Sequence, residues 1–326
     1  MSRHTAIAVT GTGSLIGQAI IKSILRSDLC DEIELVGMDY FEQTVGSYWT
    51  EKNYLLPDIL NPDVEEQSWL NSIISILSEN AVKLLFIGVD FELPLFARYK
   101  SMIEEETGAR LMVCSSQVIE IANDKYLTYQ FLKENGLPHP RSFLPGELDF
   151  ANLDYPLIVK PRKGARSVGL HKVSCEAELK TALHRVDDPI IQECVGTDDD
   201  EYTCGTIFLD DRLQKSIVLK RSLKEGNTYI SHFKNDFPTR ITEYLEAVAN
   251  CLKPYGACNF QLRLDPDGTP KIFEINARHS GTTYIRSLFG YKEVEYIVNH
   301  LLFEKAISFD LREGTVIRYY EESLVQ

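Results

Sequence analysis

Between Asn259 and Arg278 the chain places side chains that bind metal or phosphate at regular intervals in an otherwise apolar run. Glu274 and Asn276 stand two apart in Lys271-Ile272-Phe273-Glu274-Ile275-Asn276, which reads as a strand. Residues two apart on a strand share a face, so two oxygen donors converge while Phe273 and Ile275 take the other side. Asn259 to Leu264 reads as the partner strand, turning through Asp265-Pro266-Asp267-Gly268. An even-length closure puts Gln261 on the Glu274 face; an odd one turns it away. Oxygen donors without sulfur or imidazole suit Mg²⁺ shared with phosphate oxygens. Arg278 follows at once and can reach a terminal phosphate. A half-exposed strand with a polar face is the plainer alternative.

Two lysines add to this. Lys160 ends the apolar strand Pro156 to Pro161, ahead of the loop Arg162-Lys163-Gly164-Ala165-Arg166-Ser167-Val168-Gly169, and Lys125 lies near the start of a helix. An ammonium at a strand end beside a pliable loop suits polyphosphate, although a basic turn in solvent has the same composition. Downstream, Ile190 to Val195 is an apolar strand whose Glu193 and Val195 backbone could meet an adenine edge. Gly196 lets the chain turn, and Glu201, after the acidic run Asp198-Asp199-Asp200, opens a strand where a carboxylate could accept ribose hydroxyls. Near the start, Gly11, Gly13 and Gly17 form G-x-G-x-x-x-G between a strand and a helix, with Asp39 ending the second strand. This exceeds the dinucleotide fingerprint by one residue, and glycines serve close backbone approach in many such turns, so no bound NAD(P) is expected.

The elements that must position these groups alternate early and pair later. Strands at 5–10, 33–38, 82–88 and 110–114 with helical patterns after Gly13 and at 66–78 and 92–106 predict a parallel, doubly wound α/β sheet, a Rossmann-like unit over 1–115. A helix at 124–133, breakers at 136–140, strands at 156–161, 169–173 and 190–194 and a helix opened by Ser174 make a small α/β section over 116–190. Runs at 201–209, 212–221 and 227–233, a helix near 238–252, the 256–276 hairpin and a helix at 292–304 predict an antiparallel α+β unit over 191–326.

Composition limits the function. Lys and Arg number 34 against 48 Asp and Glu, a net charge of −14 that disfavours nucleic acid and anionic membrane surfaces. No apolar run is long enough to span a bilayer and no leader-like segment opens the chain, so a cytoplasmic protein is expected. Seven cysteines without a C-x-x-C pair suggest reduced thiols, mostly in the core. The histidines lack zinc-ligand spacing. Self-association into a homodimer is allowed but not specified.

Together these motifs resemble the ATP-grasp superfamily, specifically the branch containing the carbamoyl phosphate synthetase large chain and the pyrrolysine biosynthesis ligase. The resemblance runs over nearly the whole chain: a pre-ATP-grasp domain followed by two lobes that hold ATP. It implies that Lys125 and Lys160 contact nucleotide phosphates, and that Lys163 to Gly169, with Ser167 and Gly169, form the mobile flap. It further implies Glu193 and Val195 as the adenine hinge, Glu201 as the ribose acid, and Gln261, Glu274 and Asn276 as Mg²⁺ ligands, with Mn²⁺ an alternative. Lys160, Asn276 and Arg278 become the catalytic set, and Lys163, Arg166, Lys220 and Arg221 the surrounding positive charge. Arg166 stands where the flap's second glycine is expected, and Gln261 where many relatives carry an acid, as in the carbamoyl phosphate branch. The implied activity is an ADP-forming carboxylate–amine ligase acting on small molecules, with Asp90, Glu92 and Arg286 as acceptor-site candidates. An NAD(P)-dependent oxidoreductase and a non-catalytic ATP-binding sensor are the competing readings.

Overall fold

The computed structural model describes residues 4–164, 168–197 and 200–324. Its first sheet contains β1 (Thr5–Thr10), β2 (Ile33–Asp39), β3 (Lys52–Leu55), β4 (Leu84–Phe86) and β5 (Arg110–Met112), all parallel in the order β3-β2-β1-β4-β5. Both faces must be covered in such a sheet, which explains the unbroken apolar run of β1. The connecting helices are α1 (Leu15–Leu25), α2 (Glu66–Glu79) and α3 (Leu93–Thr107). Ser14 caps α1, its hydroxyl accepting from the Gly17 amide. A Cβ at Gly17 would sit 2.2 Å from the Gly11 carbonyl oxygen, so this glycine lets the helix lie on the turn.

Two short helices, α4 (Ser116–Asn123) and α5 (Lys125–Glu134), lead into a four-stranded sheet. Its strands are β6 (Ser142–Phe143), β7 (Leu157–Pro161), β8 (His171–Val173) and β9 (Pro189–Glu193), antiparallel in the order β6-β9-β7-β8, with α6 (Glu176–Leu183) before β9. This lobe has its own small core of Leu157, Val159, Val173, Leu179 and Ile191.

The third sheet is antiparallel: β10 (Glu201–Leu209), β11 (Arg212–Lys224), β12 (Asn227–Phe233), β13 (Gly256–Leu264), β14 (Pro270–Asn276) and β15 (Gly314–Ile317), ordered β14-β13-β10-β11-β12-β15. Helix α7 (Thr239–Leu252) covers one face; α8 (Thr283–Leu288) and α9 (Glu293–Val298) lie against α1. The helix expected over 292–304 is α-helical only to Val298 and finishes as a π turn, Asn299–Phe303. Ile7, Val9 and Ile20 from the first unit pack in one cluster with Ile207, Ile285 and Ile297 from the third, so those two units share a core. Three cysteines are buried (Cys114, Cys204 and Cys258), whereas Cys30, Cys175 and Cys251 are exposed, fewer in the core than their apolar surroundings suggested. No described helix is long and apolar enough to cross a membrane.

Candidate active site

The hairpin that carries the oxygen donors closes through five residues, 265–269, between the paired Leu264 and Pro270. An odd loop alone would turn Gln261 from Glu274. The register shifts by one between Leu262 and Gln261, however, so that Leu262 faces Ile272 and Gln261 faces Glu274. The extra residue is Phe273. Such a bulge bends its strand and re-aims neighbouring side chains. Phe273 consequently lines the same cleft as Glu274, not the opposite face with Ile275 as the simple alternation predicts.

That cleft, about 560 Å³, lies between the four-stranded sheet and the third sheet. Lys160 closes one side. It is 6% exposed, donates to the Gln192 Oε1 at 2.9 Å and stands 5.4 Å from the Phe273 ring centroid. Burial first, and then the Lys125 charge, bring its ammonium down to about 7. Lys125, at the start of α5, donates to the carbonyls of Arg162 (3.3 Å) and Gly164 (2.9 Å), and burial lowers its pKa too. It thus holds the beginning of the basic loop. Lys163, Gly164 and Val168 line the cleft; Gly169 has φ +73° and packs near Pro161. Arg166 and Ser167 lie outside the described residues, as do Asp198 and Asp199.

At the other end Glu193, Cys194 and Val195 form the wall. The Glu193 carboxylate is already engaged, by Lys271 at 2.9 Å and the Arg141 amide at 2.9 Å, and its own amide donates to the Arg141 carbonyl at 2.8 Å, which leaves chiefly the backbone of Cys194 and Val195 for a ligand. Gly196 turns the chain at φ +59°, where a Cβ would meet the Leu264 carbonyl oxygen at 2.6 Å. Glu201 departs from expectation. Arg221 donates twice to its Oε1 (2.9 and 2.5 Å) and Arg263 twice to its Oε2 (3.2 and 2.7 Å). A carboxylate offers about four acceptor sites, and these bonds fill them, so Glu201 has none left for ribose hydroxyls.

Gln261, Glu274 and Asn276 do converge. The Gln261 and Asn276 amides donate to Glu274 Oε1 at 3.4 and 3.1 Å. Both amide oxygens accept from arginines: Gln261 Oε1 from Arg221 at 2.8 Å, Asn276 Oδ1 from Arg278 at 3.0 Å. Glu274 forms no ion pair with any described residue, although Lys125 and Lys160 are near enough to feel its charge. A carboxylate without a bonded cation suits Mg²⁺ held jointly with phosphate, and the two amides, which turn nitrogen to it and oxygen to the arginines, would join as ligands by rotating their oxygens inward.

A second cavity, about 350 Å³, opens on the other side of the same residues, against the β1–α1 turn and Gly88 to Phe91. Arg221, Gly226, Gln261 and Glu274 line both cavities. Asp90 is here, gripping Arg278 through two bonds of 2.6 and 3.0 Å. The other two acceptor-site candidates are corrected. Glu92 is 0% exposed and accepts from Thr10 (2.5 Å) and Tyr40 (2.7 Å), burial pushing its pKa up to about 7. Arg286 is 0% exposed, paired with Glu293 at 3.2 Å and bonded to Asn259. Neither lines a cavity with Glu274. The sequence reading also missed Arg318, which enters the second cavity from beyond β15. Asp39 accepts from the Gly13 amide at 2.7 Å, the Thr12 hydroxyl at 3.0 Å and the Tyr40 and Phe41 amides, so the carboxylate that a dinucleotide ribose would need is spent on the turn itself.

Comparison with known proteins bears on the domain and the fold. Residues 122–282 match the ATP-grasp domain family. A D-alanine–D-alanine ligase of Cupriavidus taiwanensis is 28% identical over 181 residues, covering 48% of this chain and 54% of that protein. A carbamoyl-phosphate synthase of Methanobrevibacter smithii is 22% identical over 284 residues, covering 80% and 74%. The chain spans about half the length of the D-alanine ligases it matches. Among solved structures, the L-amino acid ligase from Bacillus licheniformis superposes with a TM-score of 0.71 at 17% identity, over 93% of this chain and 75% of that one. The family match is confined to residues 122–282, and the fold of the chain is that of the L-amino acid ligase.

Proposed function

We propose that the chain is an ADP-forming carboxylate–amine ligase. The observation that carries this reading is the meeting of two cavities at Glu274, Gln261 and Arg221. One is lined by buried ammonium groups and the other is open to a small molecule, so a nucleotide's transferable phosphate and an acceptor carboxylate can face each other across one strand. A carboxylate is a poor electrophile near neutral pH. Its oxygen attacks the γ-phosphorus, ADP departs, and the acyl phosphate then carries a good leaving group. An amine attacks the carbonyl carbon, phosphate leaves, and the amine's extra proton passes to solvent or phosphate. Little covalent chemistry falls to the protein; positioning and charge neutralisation are its tasks.

In this reading Lys160 and Lys125 face the phosphates, the backbone from Glu193 to Val195 meets the adenine edge, and Arg278 lies at the phosphoryl group being transferred. Glu274, Asn276 and Gln261 would hold Mg²⁺ or Mn²⁺, which when bound spreads the phosphate charge. Gly169 and the Lys163 to Gly164 stretch form the base of the flap. Glu201 serves as the buttress of Arg221 and Arg263, not as the ribose acid. We assign residues 1–115, 116–190 and 191–326 to the pre-ATP-grasp unit and the two lobes, and place the reaction in the cytoplasm, with small-molecule partners. Release of ADP and phosphate, screened against paired amino acids, small carboxylates and amines, tests the reading. Mg·ATP that neither binds nor turns over with any pair overturns it.

A further inference from the structure

Three arginines line the second cavity, and two are paired with carboxylates. Glu201 engages Arg221 and Asp90 engages Arg278. Arg318 differs. Its guanidinium donates to the main-chain carbonyl of Gly281, and no carboxylate among the described residues lies within ion-pair distance of it. Burial works against its charge. A partly buried cation with a neutral partner on one side and a cavity on the other is one that an anion would stabilise.

The group is also held in place. Strand β15 pairs with β12 from Gly314 to Ile317, and the Arg318 amide continues the pairing by donating to the Tyr229 carbonyl at 2.8 Å. The chain therefore delivers Arg318 from the edge of the third sheet into a space bounded by Ser14, Ser280 and Thr282. Those residues and Arg318 line only this cavity, whereas Glu274 and Gln261 line both. Arg318 is therefore reached from the second cavity, and its bonded neighbours Gly281 and Tyr229 do not line the nucleotide cleft.

We propose that Arg318 anchors a second anionic group on the acid whose carboxylate is activated, so that this acid is a small dianion whose distal group is a carboxylate or a phosphate-like group. The inference rests on the ligase reading for the first carboxylate; the anchor itself rests on the cavity and the cation. A cavity of about 350 Å³ limits the acid to a small molecule.

Calorimetry separates the two. The probes are malonate, succinate and glutarate, their monomethyl esters, and 3-phosphonopropionate, titrated into wild type, Arg318→Met and Arg318→Lys with and without Mg²⁺ and a non-hydrolysable ATP analogue. At least one dianion should bind wild type 10-fold or more tighter than its monoanionic ester. Arg318→Met should abolish that ratio and leave affinity for the ester and the nucleotide analogue unchanged, and Arg318→Lys should restore part of it. The probe whose affinity falls more from wild type to Arg318→Met, diacid or phosphonate, identifies the distal group. Equal binding of dianion and ester, no binding of any probe, or a ratio that persists in Arg318→Met overturns the proposal. Failure of the nucleotide analogue to bind overturns the ligase reading instead, and the ratio measured without nucleotide still decides the anchor.

Discussion

Lys160 shows how one buried charge couples fold to ligand. Its folded pKa of about 7 lies below the 10.5 of an exposed lysine, chiefly through burial. Between those values the folded protein binds fewer protons than the unfolded chain, so this group makes stability rise with pH across that window and fall as pH drops toward 7. Polyphosphate reverses the preference by favouring the ammonium. Nucleotide affinity should therefore strengthen as pH falls from about 9 to 7, by up to about 10-fold per unit, with proton uptake at pH 8 seen by calorimetry in buffers of different ionisation heat. Lys160→Met should bind ATP at least about 100-fold more weakly, roughly 3 kcal/mol, and show no such uptake. Glu274→Gln keeps shape and removes the anion: folding and nucleotide binding should persist while turnover falls at least ~100-fold, and turnover like wild type at limiting magnesium would move the metal site elsewhere. Glu274 and Asn276 were legible because a period of two is visible in the chain. Glu92 and Arg286 were not, because their environment is set by Thr10 and Tyr40 in one case and Glu293 and Asn259 in the other, partners that only the fold brings near.

At the scale of elements, strand and helix positions follow from hydrophobic period, and most observed elements fall where the pattern puts them. What period cannot show is the bulge at Phe273, since nothing in residue type distinguishes an inserted residue from a register step. The short elements α4, α8, β3, β6 and β15 also escaped, being too brief to display a period. Asp124 illustrates an element end with two duties. As N-cap of α5 it accepts from the Tyr126 amide at 2.9 Å and the Leu127 amide at 3.3 Å, and its other oxygen holds Arg162 at 2.5 Å. Lys125 and the basic loop are set by the same junction. Asp124→Ala should cost about 1 to 2 kcal/mol in denaturant unfolding for the lost cap, and should weaken ATP binding because the Lys125 carbonyl contacts loosen. Asp124→Asn retains an acceptor and should recover most of the stability but less of the affinity. Equal recovery of both would mean that the Arg162 pair contributes nothing to the site.

Across the whole molecule, the cleft is assembled from sheets that differ in origin and in core. The four-stranded lobe has its own small core, whereas the first and third units share one, so their relative placement is fixed by packing and the second cavity between them is preformed. The order of units was readable from the switch between alternating and paired strands; the arrival of Arg318 from the far end of the chain was not, because no motif surrounds it. Asp90 and Arg278 join the first unit to the third across this cavity. The Asp90 side chain is half exposed, so the pair should contribute no more than about 1 kcal/mol to stability. Its larger effect is orientation: Arg278 also donates to Asn276 Oδ1 and the His279 carbonyl, and without Asp90 those two contacts alone would direct it. In Asp90→Asn, then, chemical unfolding should match wild type within that 1 kcal/mol. The KM of the accepted acid should rise several-fold and kcat should fall, because Arg278 lies at the phosphoryl group being transferred, whereas the KM for ATP should change less because the lysine side of the cleft is untouched. A large loss of stability would make the pair a structural clamp, and an unchanged acid KM would show that Arg278 does not reach the acceptor side of Glu274.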